Sequence, residues 1–564
     1  MKCMFLGIVG ALTVFVSGAG AGDVFWNAAT GDWDDDARWD TSVEPTSADY
    51  AKIDNGGVCT VSQAGEVASR VYVGSAAAKT GTLHVVSGDL ALAGNLYLGS
   101  GSGASADLLV DSGLLTIGGA LVMGASGGSG HVIQTGGVIN VTLNLNNTNI
   151  GNGSGPESVY DFSGGAHTNK GAITIGYSAS SRATMNMSND ATLSSAYLYL
   201  GGGSKSRGTL IMKGTSQAKN QGLGVGRNSG AFGYVEIGDS AVLTVNTGSR
   251  DAYIGEVAGG TGHLVITNNG SLVNRKLFYI GYVAGSTGTV DLAGGSLIMN
   301  NSSSKSVNVG FNGGNGTLNL RGGLLKANAT TWGAMTVGGG AAPGEGTVRG
   351  HGTVELYGQL DNSGRIIADG FGTQTDLDLS RFGTGTSESV TNSYDNTAGN
   401  GWFAVNKGRL LLPSIAVAAN AGSVSYNWGE SVGDADPDLV NSVRLTLSNA
   451  SAGSLSGSLL AADRGDVPAT VDGKKKFVGV WAFTAGTFDA ATLKIRYDDG
   501  AALAAGIDED DLVCYKGNGS RWTPVDATVD PVAHTLTTTE PLTDLAFIAV
   551  GPHVPFMGTV IAIR

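Results

Sequence analysis

The chain has 564 residues, with 92 glycines, 11 prolines, 41% hydrophobic and 14% charged residues, and a formal net charge of −14. This length allows two or three domains, and the apolar fraction is too high for a disordered acidic chain, so the glycine must serve turns around a buried core. The negative balance, without clustered Lys and Arg, excludes nucleic acid as a partner, because phosphate binding needs such clusters.

Residues 1–21 carry Lys2, an apolar run over 4–16 and the small-residue end Ala19-Gly20-Ala21. That layout predicts a secretory signal peptide cleaved before Gly22, with an apolar run too short to persist as a membrane span. Residues 22–64 are polar but punctuated by Trp26, Trp33 and Trp39, and read as an N-terminal cap. Two cysteines remain after signal removal, Cys59 and Cys514. A disulfide between them is conceivable in an oxidising compartment, but two idle or buried thiols are the favoured reading.

Over 65–370 the chain repeats. A short strand ending in an aliphatic residue and glycine recurs at Gly74, Gly99, Gly124, Gly151, Gly176, Gly201, Gly226, Gly255, Gly281, Gly310 and Gly338, at steps of 25 to 29 residues. Within a unit such as 81–99, GTLHVVSGDLALAGNLYLG, three alternating runs are separated by Gly, Asp and Asn turns, with no helical period. One coil of three strands cannot bury its inward side chains alone, but stacked coils share a continuous core. The fold predicted is therefore all-β: a parallel β-helix, or solenoid, of about eleven coils. Leu83, Val85, Leu210, Met212, Val235, Ile237, Val290, Leu292, Leu318 and Leu320 should point inward, and His84, Ile211, Glu236 and Asp291 outward.

After about Gly370 the period fails. Residues 371–400 read as a Ser, Thr, Gly and Asn rich linker, 401–553 as a C-terminal β-sandwich of irregularly spaced strands, and 554–564 as a short apolar tail well below a span. No transmembrane segment is expected once the signal is removed.

The opening Trp-Asn-Ala-Ala-Thr-Gly-Asp-Trp over 26–33, with Trp39, Pro45 and Asp49, resembles bacterial exoproteins of the autotransporter-associated β-strand repeat and PEP-CTERM type, as do the aliphatic-Gly and Gly-Thr-Leu units of 74–354. The resemblance implies an extracellular β-helix of passenger type. Neither a Val-Pro-Glu-Pro sorting signal nor a set of barrel-forming strands accompanies it.

Three groups of residues are candidates for chemistry. Parallel β-helices include polysaccharide lyases and hydrolases, which need clustered carboxylates on neighbouring coils, but Glu236 and Asp291 lie two coils apart with Val265 between them, about 10 Å by strand spacing. They read as solvated surface charge, and the scattered histidines as surface or turn residues. The alternating Asp434, Asp436 and Asp438 are the best of three acidic loops for calcium, though without the Gly and closing Glu of an EF-hand. No other cofactor is implied. Finally, Tyr72, Tyr97, Tyr199, Tyr253 and Tyr279 share the outward phase of the strand that ends each coil and form a candidate glycan-stacking column. The predicted role is structural or adhesin-like, at the cell surface or in the extracellular matrix, with polysaccharide or other surface proteins as partners and no enzymatic activity. A carbohydrate-binding protein and, less favoured, a β-helix polysaccharide lyase or hydrolase are the alternatives.

Overall fold

The computed structural model describes residues 22–553 apart from 144–146, 247, 249, 301–306, 328–332, 343, 371–374, 383–393, 396–401, 429–440, 469–476 and 519–520. The expected signal peptide and tail lie outside the described residues, as does most of the expected linker.

Each coil adds one strand to each of three parallel sheets. Thr80–Val85, Asp89–Leu92 and Leu96–Leu98 pair in register with Ser105–Val110, Leu114–Ile117 and Leu121–Met123 of the next coil, and the pattern continues along the chain. The result is a parallel β-solenoid of about 13 turns, about 60 Å long at the usual strand spacing. Leu83, Val85, Leu210, Met212, Val235, Ile237, Val290, Leu292, Leu318 and Leu320 are all 0% exposed, so strand alternation builds one core running through the stack.

The two glycine signatures are halves of one contact. The glycine that closes a coil sits in the left-handed region, as Gly226 does at φ +68°, and a Cβ there would run into the backbone carbonyl of Thr261. The glycine that opens the next coil packs against it, since a Cβ on Gly233 would strike the Gly226 nitrogen. Gly103 has nearly the same φ, +66°, but a methyl group there would meet nothing within 4 Å. Gly226→Ala should therefore cost about 3 kcal/mol in urea unfolding and Gly103→Ala only about 1 kcal/mol, because the first adds backbone collision to a shared left-handed strain. Equal costs would show that φ alone demands the glycine.

Both ends depart from the expected boundaries. Within the predicted cap, Asp23–Phe25 and Tyr50–Ile53 already lead the third sheet, and Thr30–Asp32 and Val58–Val61 the first. Trp26, Trp33 and Trp39 are buried there, packed edge to face with ring centroids 5.1 and 5.0 Å apart, and Trp39 Nε1 donates to the Trp33 carbonyl. Two turns follow the eleven that end in aliphatic-Gly. Their third-sheet strands, Leu360–Asn362 and Tyr394–Asp395, end without that glycine, so the repeat signature stops before the ladder does. Hence Asp376–Asp378 and Tyr394–Asp395 are solenoid strands rather than linker, and so are Trp402–Asn406 and Arg409–Leu411, assigned from sequence to the sandwich. Their inward residues, Phe403 and Leu410, stack in register on Ile366 and Leu377.

Arg409–Leu411 is also where the sandwich begins. One side pairs parallel with Asp376–Asp378, the other antiparallel with Gly453–Leu460. That sheet continues through Gly479–Thr484, Phe547–Pro552, Leu512–Gly517 and Trp522–Val525, all antiparallel. A second antiparallel sheet has five strands: Ser423–Trp428, Val443–Ser448, Ala490–Arg496, Thr535–Thr538 and Ala527–Asp530. Trp428, Leu445, Leu493 and Trp481 are buried in the same continuous core as the solenoid residues. Among the described residues no helix is long and apolar enough to cross a membrane.

One stretch of the solenoid interior is polar. Gln134, Thr148, Tyr160, His167 and Asn169 occupy inward positions where neighbouring turns place Val110, Leu121, Met185, Leu193 and Val141, and all are at most 2% exposed. Their hydrogen bonds run in one direction. Asn169 Nδ2 donates to Thr148 Oγ1 (3.1 Å), which bonds His167 Nε2 (3.1 Å); His167 Nδ1 meets the Tyr160 hydroxyl (2.9 Å), which donates to Gln134 Oε1 (2.5 Å), and Gln134 Nε2 donates to the Ala166 carbonyl (3.0 Å). With the Tyr160 proton directed to Gln134, the chain closes on a neutral His167 protonated at Nδ1 and accepting at Nε2. Burial pushes the His167 imidazole down to about 3.

Candidate functional site

The tyrosine column of the third sheet has the expected register. Tyr72 pairs with Tyr97 and Tyr253 with Tyr279, while Val122, Asn149, Thr174 and Gly224 separate these pairs and Tyr199. The column is not the exposed platform that the alternation predicts. Tyr199 is 6% and Tyr279 8% exposed; Tyr72, Tyr97 and Tyr253 are half-buried. The paired rings also lie face to face on each other, with centroids 4.8 Å apart at 6° for Tyr72 and Tyr97 and 5.2 Å at 8° for Tyr253 and Tyr279. Parallel stacking along the ladder consumes the flat faces that a sugar would use and leaves ring edges outward.

A second column explains the burial. The residue after each closing glycine is small in several turns, as at Ser75, Ser100, Ala125 and Gly202, but four consecutive turns carry Arg227, Glu256, Tyr282 and Phe311. These side chains lean over the tyrosine column. The Arg227 guanidinium lies 3.7 Å from the Tyr199 ring centroid; Tyr282 packs edge-on against Tyr253 (4.9 Å) and Tyr279 (4.7 Å), and Phe311 tilts onto Tyr279 (5.4 Å). Glu256 fills the gap at Gly224, where a Cβ would meet its Oε2 at 2.6 Å. Arg250 reaches the same gap, 5.3 Å from the Tyr199 ring and 5.7 Å from Tyr253, and pairs with Glu256. Burial lifts the Tyr199 hydroxyl above its usual range and pushes that of Tyr279 up to about 12. The sequence signal for this column is a run of four bulky residues at a turn position that is small in several other turns.

The outward carboxylates of the first sheet are tied to near neighbours. Lys213 Nζ donates to Glu236, which also accepts from the Tyr234 hydroxyl (3.0 Å), and the Lys213 bond holds Glu236 below the usual carboxylate range. Asp291 bonds His263 Nε2 (2.6 Å) and accepts from Asn319 Nδ2 (2.7 Å). Burial alone would raise Asp291, but those two hydrogen bonds outweigh it and hold it low. Val265 stands in register between Glu236 and Asp291, so they share no atom; His263, on the strand of Val265, bonds Asp291 and has its ring 5.4 Å from Tyr234, the hydroxyl partner of Glu236. His84 with Asp111 (2.8 Å) and His131 with Asp161 (2.9 Å) repeat the pairing further along the rod. These are cross-turn pairs in which each carboxylate already has a partner.

Asp434, Asp436 and Asp438 lie outside the described residues, so the calcium expectation has no geometry to meet it. Among the described residues no three His, Cys, Asp or Glu side chains converge as metal ligands would. Cys59 and Cys514 are free thiols, both 0% exposed, and burial pushes Cys514 up to about 12. Comparison of the chain with family models, with curated proteins and with solved structures gave no match.

Proposed function

We propose that the chain is a structural or adhesin-like β-solenoid of the bacterial cell surface or extracellular matrix, working as a rigid rod that presents side-chain columns and not as an enzyme. The observation that carries this reading is the ladder of about 13 turns on one continuous core. Such an array holds surface residues at fixed spacing over a long distance, which suits repeated weak contacts along an extended partner. The likeness of the opening segment and the repeats to secreted exoproteins supports the extracellular placement. On the first sheet, carboxylates already bonded to Lys213, His263 and Asn319 leave little basicity for proton transfer.

The test is to incubate the purified full chain with acidic and neutral polysaccharides and measure both retention on beads and release of new chain ends. Retention on at least one of these polymers, without cleavage of any, is expected, and Glu236→Ala with Asp291→Ala should alter neither. Cleavage that drops about a hundredfold in the double variant, with folding intact, would replace the scaffold by an enzyme.

A further inference from the structure

The second column contains an unneutralised charge in an aromatic setting, and from it we propose a binding site for an acidic polysaccharide, with a sugar carboxylate held by Arg227 and the extended chain lying along Tyr177, Tyr282 and Phe311. This deepens the scaffold reading and rests on it.

Two arginines and one carboxylate gather around the Gly224 gap, and the carboxylate pairs with only one of them. Glu256 pairs with Arg250, and its side chain is only 11% exposed. Arg227 has no carboxylate within ion-pair distance among the described residues. Burial weighs most against its charge, Tyr199 offsets part of that and the neighbouring Arg250 adds to it, so an incoming anion would relieve a cost already present. Its geometry is favourable too. Stacked 3.7 Å over Tyr199, the guanidinium is oriented by the ring while its in-plane N–H donors stay free for a bidentate carboxylate contact.

The aromatic neighbours give the direction of the ligand. Tyr177 follows the closing glycine two turns before Arg227 and is 40% exposed; Tyr282 follows the one two turns after it. Contacts about 10 Å to either side of one cation, along the axis of the rod, fit an extended polymer better than a compact anion. Tyr282 and Phe311 are half-buried and lie nearly parallel, with centroids 6.2 Å apart at 7°. Elsewhere the net charge of −14 repels polyanions, so non-specific binding should be small.

The probe is polygalacturonate, titrated calorimetrically into the full chain at moderate salt, with dextran as the neutral control. The expected result is binding of polygalacturonate and not dextran, weakened roughly tenfold by Arg227→Gln and several-fold by Tyr177→Ser or Tyr282→Ser. Tyr97→Ser, in a distant part of the same sheet, should leave the affinity unchanged, and each variant's thermal midpoint checks that the rod is intact. No binding of polygalacturonate, equal binding of dextran, or unchanged affinity in an intact Arg227→Gln protein would each overturn the site. If the parent ignores polyuronate but still retains other matrix polymers without cleaving them, this site falls while the scaffold stands; cleavage of any polymer removes the scaffold reading itself.

Discussion

Leu210→Asp is expected to unfold the region around its turn, at a cost of about 4 kcal/mol or more, while Ile211→Asp on the same strand should cost less than about 1 kcal/mol. Leu210 is 0% exposed and stacked between Met185 and Val235 in the ladder. A carboxylate there has no donor, and its choices are an unpaired buried charge or a protonated acid in an apolar stack. Ile211 points outward between Asn186 and Glu236, where an aspartate meets water and only a moderate like-charge neighbour already paired with Lys213. Urea midpoints of the two variants decide the matter. Similar losses from both would mean that inward and outward are wrongly assigned on the first sheet.

Acid should destabilise the rod through His167. In the unfolded chain this imidazole takes a proton near its ordinary value of 6.5, whereas in the folded protein burial delays protonation to about 3. Above pH 6.5 both states are neutral and nothing is lost. As pH falls from 6.5 towards 3 the unfolded state gains a proton that the folded state refuses, so folding weakens by about 1.4 kcal/mol per pH unit, to roughly 4–5 kcal/mol in all. Between pH 6 and 5, where most carboxylates have yet to titrate, the unfolding free energy of the parent should fall along that slope. His167→Leu matches the Leu193 that follows it in the column and removes the titration. Its stability should be lower at pH 7, because Thr148 loses its acceptor, but flatter with pH. Parallel slopes for parent and variant would show that His167 is not the group responsible.

The solenoid was legible because its physics repeats. Each coil must alternate inward and outward and close through a glycine pressed against the next coil's backbone, so eleven copies of one constraint stand out in a single sequence. The last two turns escaped because their third-sheet strands, Leu360–Asn362 and Tyr394–Asp395, are followed by Ser363 and Asn396 rather than by the glycine that marks the other eleven. The tyrosine register was legible from alternation, but its burial was not. Exposure of Tyr199 and Tyr279 is set by Arg227, Tyr282 and Phe311, which belong to the corners that follow closing glycines rather than to the strands themselves. The polar interior was hidden for a similar reason: Tyr160 lies 7 and Thr148 19 residues before His167, with Gln134 further still, all on the other two sheets, and nothing short of the stacking brings them together.

The strand Arg409–Leu411, parallel to its solenoid neighbour and antiparallel to the first strand of the sandwich, bears on how such rods associate. A parallel stack that simply stopped would present ready templates to the leading strands of another copy, and identical molecules would add head to tail into filaments. On the second sheet, reversing chain direction at that boundary gives the final parallel strand a partner from its own chain. The outer edge of that strand is therefore already hydrogen-bonded within its own chain, and head-to-tail addition through it is blocked before any surface charge acts.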